Sequence, residues 1–158
     1  ESSSDLTWAP YSTTGCSTNF TTIVCTPSAT DSGAASTATF TGDTYGGDNW
    51  DAVCAVDGTA SANAAANYPA FNYANTYTAA NYTSGWYVPS ISELCTLYRN
   101  KTAVSESLSK ATGLPFPTDG CCWSSSQNYS AWYVDFSNGT VNRDSKVTKK
   151  YVLVIRAF

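Results

Sequence analysis

Gly85-Trp86-Tyr87-Val88-Pro89-Ser90-Ile91-Ser92-Glu93-Leu94 is the stretch whose reading decides the fold. Ser90 and Glu93 stand three residues apart, the spacing of a capping box in which each side chain accepts the other residue's backbone N–H. Ile91, Leu94, Cys95 and Tyr98 then fall on one helical face, which predicts a helix running to about Arg99. Downstream, Val104, Leu108 and Ala111 share one side of a second short helix over 104–111, stopped by Gly113 and Pro115. Upstream, Asn67-Tyr68-Pro69 opens another helix, since proline is tolerated where its missing N–H has no partner. Ala70, Tyr73, Ala74 and Tyr77 continue it at helical spacing.

Outside this helical middle the pattern changes. Trp132, Val134 and Phe136 alternate with Tyr133 and Asp135, which reads as a half-buried strand. Asn138-Gly139 follows, a strong hairpin signal. Residues 151–157 are nearly continuously apolar and read as a central strand. Residues 1–47 are Ser-, Thr- and Gly-rich and read as an irregular β-rich start, with 21–24 and 38–41 as short strands. Gly46-Gly47-Asp48-Asn49 reads as a loop, and Glu1-Ser2-Ser3-Ser4-Asp5 as a polar spacer or mature terminus. The expectation is one α+β domain over 1–158, with two or three helices and a small antiparallel sheet.

Composition excludes several functions. There is no His, which removes the usual general base, the Ser-His and Cys-His pairs and most zinc sites. Net charge is −4 with only 8 Lys+Arg, too few for a nucleic-acid face. No apolar run approaches the ~20 residues of a membrane span, so any lipid anchor is expected upstream. Six Cys in a Ser/Thr-rich chain suggest an oxidising compartment, with fifteen pairings open and buried free thiols at Cys54 and Cys95 the alternative. Asp43, Asp48, Asp51 and Asp57 lack the spacing of a calcium loop. The capping box accounts for Glu93 without a catalytic role.

Two segments carry a resemblance. Residues 85–94 resemble the segment shared by domains related to the formylglycine-generating enzyme, whose fold is a variant of the C-type lectin fold. Trp123-Ser124-Ser125-Ser126, Ala131-Trp132-Tyr133-Val134-Asp135-Phe136-Ser137-Asn138-Gly139 and Val154-Ile155-Arg156-Ala157-Phe158 resemble the tail of variable proteins diversified by retroelements, of the treponemal surface type. The resemblance spans about residues 48–158. It implies a lectin-like domain of the formylglycine-generating-enzyme type and a variable ligand-binding region over 118–158. It also implies adenine-directed mutagenesis by an error-prone reverse transcriptase. Cys121 and Cys122 stand where related tails carry Tyr, one adenine change away. Arg143, Asp144, Ser145, Val147 and Thr148 are all reachable from Asn codons, whereas Lys149 and Lys150 are not.

The candidate ligand-binding residues are therefore Cys121, Cys122, Asn128, Tyr129, Ser130, Tyr133, Asp135, Thr140, Asn142, Arg143, Asp144, Ser145, Val147 and Thr148. Cys121-Cys122 admit two further readings, a strained vicinal disulfide or halves of two bridges. Trp123, Trp132, Phe136 and Phe158 are expected to be core. No catalytic residue, metal or cofactor is assigned. The expected protein is a monomeric adhesin or receptor-type domain on the outer cell surface, anchored as a lipoprotein or secreted, facing an unidentified protein or surface ligand. The competing readings are an enzyme of the formylglycine-generating type, which needs two reactive thiols and usually copper, and an invariant structural surface domain. The calcium-dependent sugar motifs of lectins are absent.

Overall fold

The computed structural model describes residues 2–28, 33–79, 81–112, 116 and 119–157. Five strands form the main sheet: β1 (Ser2–Thr7), β5 (Cys121–Asn128), β6 (Ser130–Asp135), β7 (Val141–Asp144) and β8 (Lys149–Leu153). Two ribbons accompany it, β2 (Thr26–Pro27) with β3 (Phe40–Thr41) and β4 (Trp86–Tyr87) with β9 (Ile155–Arg156). The helices are α1 (Thr14–Ser17), α2 (Gly46–Val56), α3 (Ala64–Asn67), α4 (Pro69–Thr76), α5 (Ile91–Arg99) and α6 (Lys101–Thr112). The α+β expectation holds, with more helices than the two or three expected.

The main sheet runs β1-β8-β5-β6-β7. It is mixed, not purely antiparallel: β8 lies parallel to β5, with Cys122 opposite Tyr151. The cause is the link over 145–148, which carries the chain from β7 back across the sheet to the far side of β5. The tail is thus two successive hairpins, β5–β6 and β6–β7, followed by a crossover. The apolar run at 151–157 is also not one strand. It breaks at Val154, so that β8 joins the main sheet while β9 pairs with β4.

The capping box forms as read: Ser90 Oγ accepts from Glu93 N (3.4 Å), and Glu93 Oε2 accepts from Ser90 N (2.9 Å). Glu93 Oε2 also accepts from Gly46 N at 3.1 Å and so starts a second helix, α2. This corrects the loop reading of 46–49. Gly46 packs so closely that a Cβ there would lie 2.5 Å from Val88 O. A distant carboxylate supplies the cap, so no local signal announced it.

β1 corrects the reading of 2–5 as a spacer, because its backbone pairs antiparallel with β8. The 21–24 strand is a 3-10 turn over Thr21–Ile23, and the 38–41 strand shortens to β3. α6 begins at Lys101, earlier than expected, and its expected stop residues Gly113 and Pro115 lie outside the described residues.

Two cores sandwich the sheet. One gathers Trp8, Phe20, Tyr68, Phe71, Trp123, Ala131 and Val152. The other gathers Cys95, Leu94, Cys122, Trp132, Val134, Phe136 and Leu153. Trp123, Trp132 and Phe136 are core, as expected, while Phe158 lies outside the described residues. All six cysteines are free thiols, Cys95 buried and Cys54 only half-buried.

Ser124, Ser125, Ser126 and Gln127 are fully buried in β5. Buried hydroxyls need partners, and each has one. Ser124 Oγ donates to Trp132 O (3.0 Å), Asn49 Nδ2 to Ser125 Oγ (2.6 Å) and Ser126 Oγ to Asp43 Oδ1 (2.5 Å). Asp43 also accepts from Ser92 N (2.8 Å), which ties the 40s loop to α5. This polar seam fixes β5, and through it the tail, against α2 and α5.

Candidate functional site

Strand register sorts the candidate residues. In an antiparallel pair, residues directly opposite share a face, and alternate residues along a strand return to it. Cys121 is opposite Asp135, Trp123 opposite Tyr133, Tyr133 opposite Asn142, and Ala131 opposite Asp144. Asp135 N donates to Thr140 O at 2.8 Å and extends the first row. Cys121, Tyr133, Asp135, Thr140, Asn142 and Asp144 therefore collect on one face of the sheet, beside the buried Trp123. Thr140 and Asn142 are exposed and the other four half-buried.

Cys122 is the exception among the candidates. It points to the opposite face, is fully buried beside Val134, and offers no surface to a ligand. Its burial corrects the reading of both cysteines as surface positions. Neighbouring residues of a strand point to opposite faces, so register cannot place both outside. The same opposition separates the two thiols, and no vicinal disulfide forms.

Arg143 also leaves the row. It lies exposed on the Trp132 side, its guanidinium 5.1 Å from that ring, and Nη1 donates to Asn128 O at 3.0 Å. This fastens β7 to the β5–β6 turn. Tyr129 forms that turn alone at φ +59° and is 73% exposed. A non-glycine residue in this region is strained by about 1–2 kcal/mol. Asn128 and Ser130 flank it, both half-buried, and Ser145, Val147 and Thr148 lie on the crossover link, none of them buried.

Charge on the face is internally matched. Lys150 Nζ is 2.8 Å from Asp144 Oδ2 and 4.1 Å from the Tyr133 ring centre. Burial raises the Asp144 carboxyl, but the Lys150 ammonium and the Ser145 N–H outweigh it and hold it below the usual carboxylate range. Hydrogen bonds from Ser137 lower Asp135 in the same way, against a smaller opposing effect of burial. Burial, then the Asp135 and Asp144 charges, pushes the Cys121 thiol up despite Lys150. Burial likewise raises Cys122. Neither thiol is activated as a nucleophile.

Sequence reasoning missed two residues here. Lys150 entered only as a position that adenine changes do not reach, yet it organises Tyr133 and Asp144; no local pattern announces an ion pair set by a crossover. Asn19, just after α1, also reaches the tail: its Oδ1 accepts from Tyr129 N (3.3 Å) and Gln127 Nε2 (2.8 Å). A lone asparagine in a chain rich in asparagine carries no sequence signal.

Among the described residues, no group of three His, Cys, Asp or Glu side chains is placed to hold a metal ion, and no helix is long and apolar enough to cross a membrane. A shallow depression of about 340 Å³ lies between α5 and β9, lined by Ser92, Glu93, Thr96, Leu97 and Ile155, away from the tail face.

A mixed α+β scaffold ending in this tail is of the class of C-terminal domains found in retroelement-diversified variable proteins. Over residues 1–156 the chain matches the family described as the Lcl C-terminal domain, and it belongs to that family. Comparison with curated proteins and with solved structures gives no significant match.

Proposed function

We propose that this domain is a ligand-binding module, displayed on the outer cell surface, whose tail is diversified by adenine-directed retroelement mutagenesis. The observation that carries the reading is the register of β5, β6 and β7. It turns Trp132, Val134 and Val141 into the core and leaves Tyr133, Asp135, Asn142 and Asp144 on an accessible face. Of these, Tyr133 packs against the Trp123 ring at the core's margin, whereas Asn142 is exposed and can be replaced without opening the core. Tyr, Asn, Ser and Thr supply the adaptable polar and aromatic contacts that paratopes use. The face is a sheet surface, which suits a macromolecular ligand better than a small molecule.

The proposal includes a lectin-like fold of the formylglycine-generating-enzyme type, a monomer, and a lipid anchor or secretion route outside this chain. It assigns no catalytic role. The opposed directions and raised pKa values of Cys121 and Cys122 support that choice over a thiol-dependent oxidase, which needs two converging reactive sulfurs.

The test is a comparison of the coding DNA with near-copy repeats beside it. Differences restricted to template adenines and concentrated in the codons of the exposed candidates are the expected result. Differences spread over Trp123, Trp132 and Val134 as well, or no such repeat, overturn diversification. Binding itself is tested by displaying a library varied at Tyr133, Asp135, Asn142 and Asp144 and selecting it on a purified globular protein. Failure of folded library members to yield any binder overturns the assignment of this face.

A further inference from the structure

Asn138-Gly139 was singled out as a hairpin signal, and the β6–β7 turn uses it so. The same dipeptide has a second chemistry. The Gly139 amide nitrogen can attack Cγ of Asn138, because glycine adds no side chain to obstruct it. A C–N bond forms, Nδ2 departs as ammonia with the amide proton, and a cyclic imide remains. Water then opens the imide at either carbonyl, giving aspartate or isoaspartate. The net change is one amide plus water to one carboxyl group plus ammonia, with no oxidant.

We propose that Asn138 is a latent deamidation site and that Asp135 is the group that keeps it unreacted. The turn engages the nucleophile, the leaving group and the carboxamide oxygen in hydrogen bonds. The nucleophile is occupied: Gly139 N donates to Asp135 O at 2.7 Å. The following peptide is pinned as well, where Gly139 O accepts from Ala35 N at 2.7 Å. The leaving group is held by Asp135 Oδ2, which accepts from Asn138 Nδ2 at 3.0 Å. The carboxamide is fixed in rotation because Asn138 Oδ1 accepts from Thr140 N at 2.8 Å. Asp135 Oδ1 is itself anchored by Ser137 N (2.9 Å) and Ser137 Oγ (2.5 Å).

Glycine cannot be exchanged for a safer residue at this point. Gly139 sits at φ +80°, and a Cβ would meet the Tyr98 ring at 2.6 Å. Asn138 is exposed, so water for the second step is at hand. The fold therefore requires glycine after Asn138, and it protects the resulting Asn-Gly pair by hydrogen bonding. Reaction must wait for the turn to open locally, and opening means breaking bonds to an ionised carboxylate, which are stronger than neutral ones.

The consequence concerns the tail face, because Asp135 is also one of its half-exposed residues. A replacement there changes the chemical lifetime of the β6–β7 turn. Reaction places a new negative charge against Asp135 at the turn between β6 and β7, and the isoaspartate product also adds a backbone carbon there. In this chain Asp135 protects the turn whether or not the tail is diversified.

The test follows ammonia loss by intact mass and peptide mapping at mildly alkaline pH. The samples are the whole folded domain, a free peptide covering 134–141, and the variants Asp135→Ala, Asp135→Asn and Asn138→Gln. The folded domain should react at least about tenfold more slowly than the peptide, the factor that loss of a charge-assisted bond gives in an opening equilibrium. Asp135→Ala should recover most of that factor, and Asp135→Asn, which keeps one acceptor for Ser137, should fall between. Asn138→Gln should abolish the signal and so locate it. If Asp135→Ala does not fold, Asp135→Asn decides the matter. A folded domain as reactive as the peptide overturns the proposal, as does a folded Asp135 variant that reacts no faster than the parent.

Discussion

Lys146 lies on the link that turns the sheet back on itself, and its amine is 2% exposed. Nζ donates to Gly15 O at 3.0 Å and Thr18 O at 2.7 Å and stands 4.6 Å from the Trp8 ring centre and 5.0 Å from that of Phe20. Burial lowers its pKa from 10.5 to about 8. Below about 8 both folded and unfolded states carry the proton, and above 10.5 neither does. Between these values the unfolded chain binds one proton more, so stability rises with pH across the window. The shift is worth about 3 kcal/mol when integrated, at about 1.4 kcal/mol per unit. Cys25, Cys95 and Cys122, with Tyr68 and Tyr87, act in the opposite sense. Burial raises their pKa values, so they lose stability as pH rises above their ordinary range. Lys146→Met isolates the lysine, since only the parent gains the term. Near pH 7 the two carbonyls left without a donor cost about 1–3 kcal/mol each, partly offset by release from burying a charge. Urea unfolding of both proteins under reductant, from about pH 7 to about pH 10.5, should show the parent gaining about 3 kcal/mol on the variant. A gap that stays constant over that range refutes a buried, titrating Lys146.

Two shorter predictions test the scaffold. Ser90→Ala removes the cap of α5 and should cost about 1 kcal/mol, read as a lower midpoint in urea; an unchanged midpoint means the capping box is redundant. Tyr129→Gly should raise stability by about 1 kcal/mol by relieving the left-handed turn, read as a higher midpoint in urea; an unchanged or lower midpoint refutes strain at this turn.

The helices around Ser90 and Pro69 were legible because their signals are local. A cap and an apolar stripe lie within a few residues of each other, and α5 and α4 form as those signals require. The alternation of Trp132, Val134 and Phe136 was legible for the same reason. α2 was not, because its first N–H finds its acceptor 47 residues away on Glu93. Nor was the burial of Ser124, Ser125 and Ser126, whose composition reads as surface until Asn49, Asp43 and the backbone satisfy them.

For the tail, the sequence alone determined which residues alternate in β6 and where the hairpin turns. Only the tertiary structure decided that both faces of β5 are covered, leaving Cys121 half-buried at the start of the strand and Cys122 fully buried. It alone placed β8 beside β5, put Lys150 against Asp144 and Tyr133, and bound Asn138 under the guard of Asp135. The reason is physical: period and propensity act over a few residues, whereas strand register and the partners of buried polar groups are fixed by contacts distant in the chain.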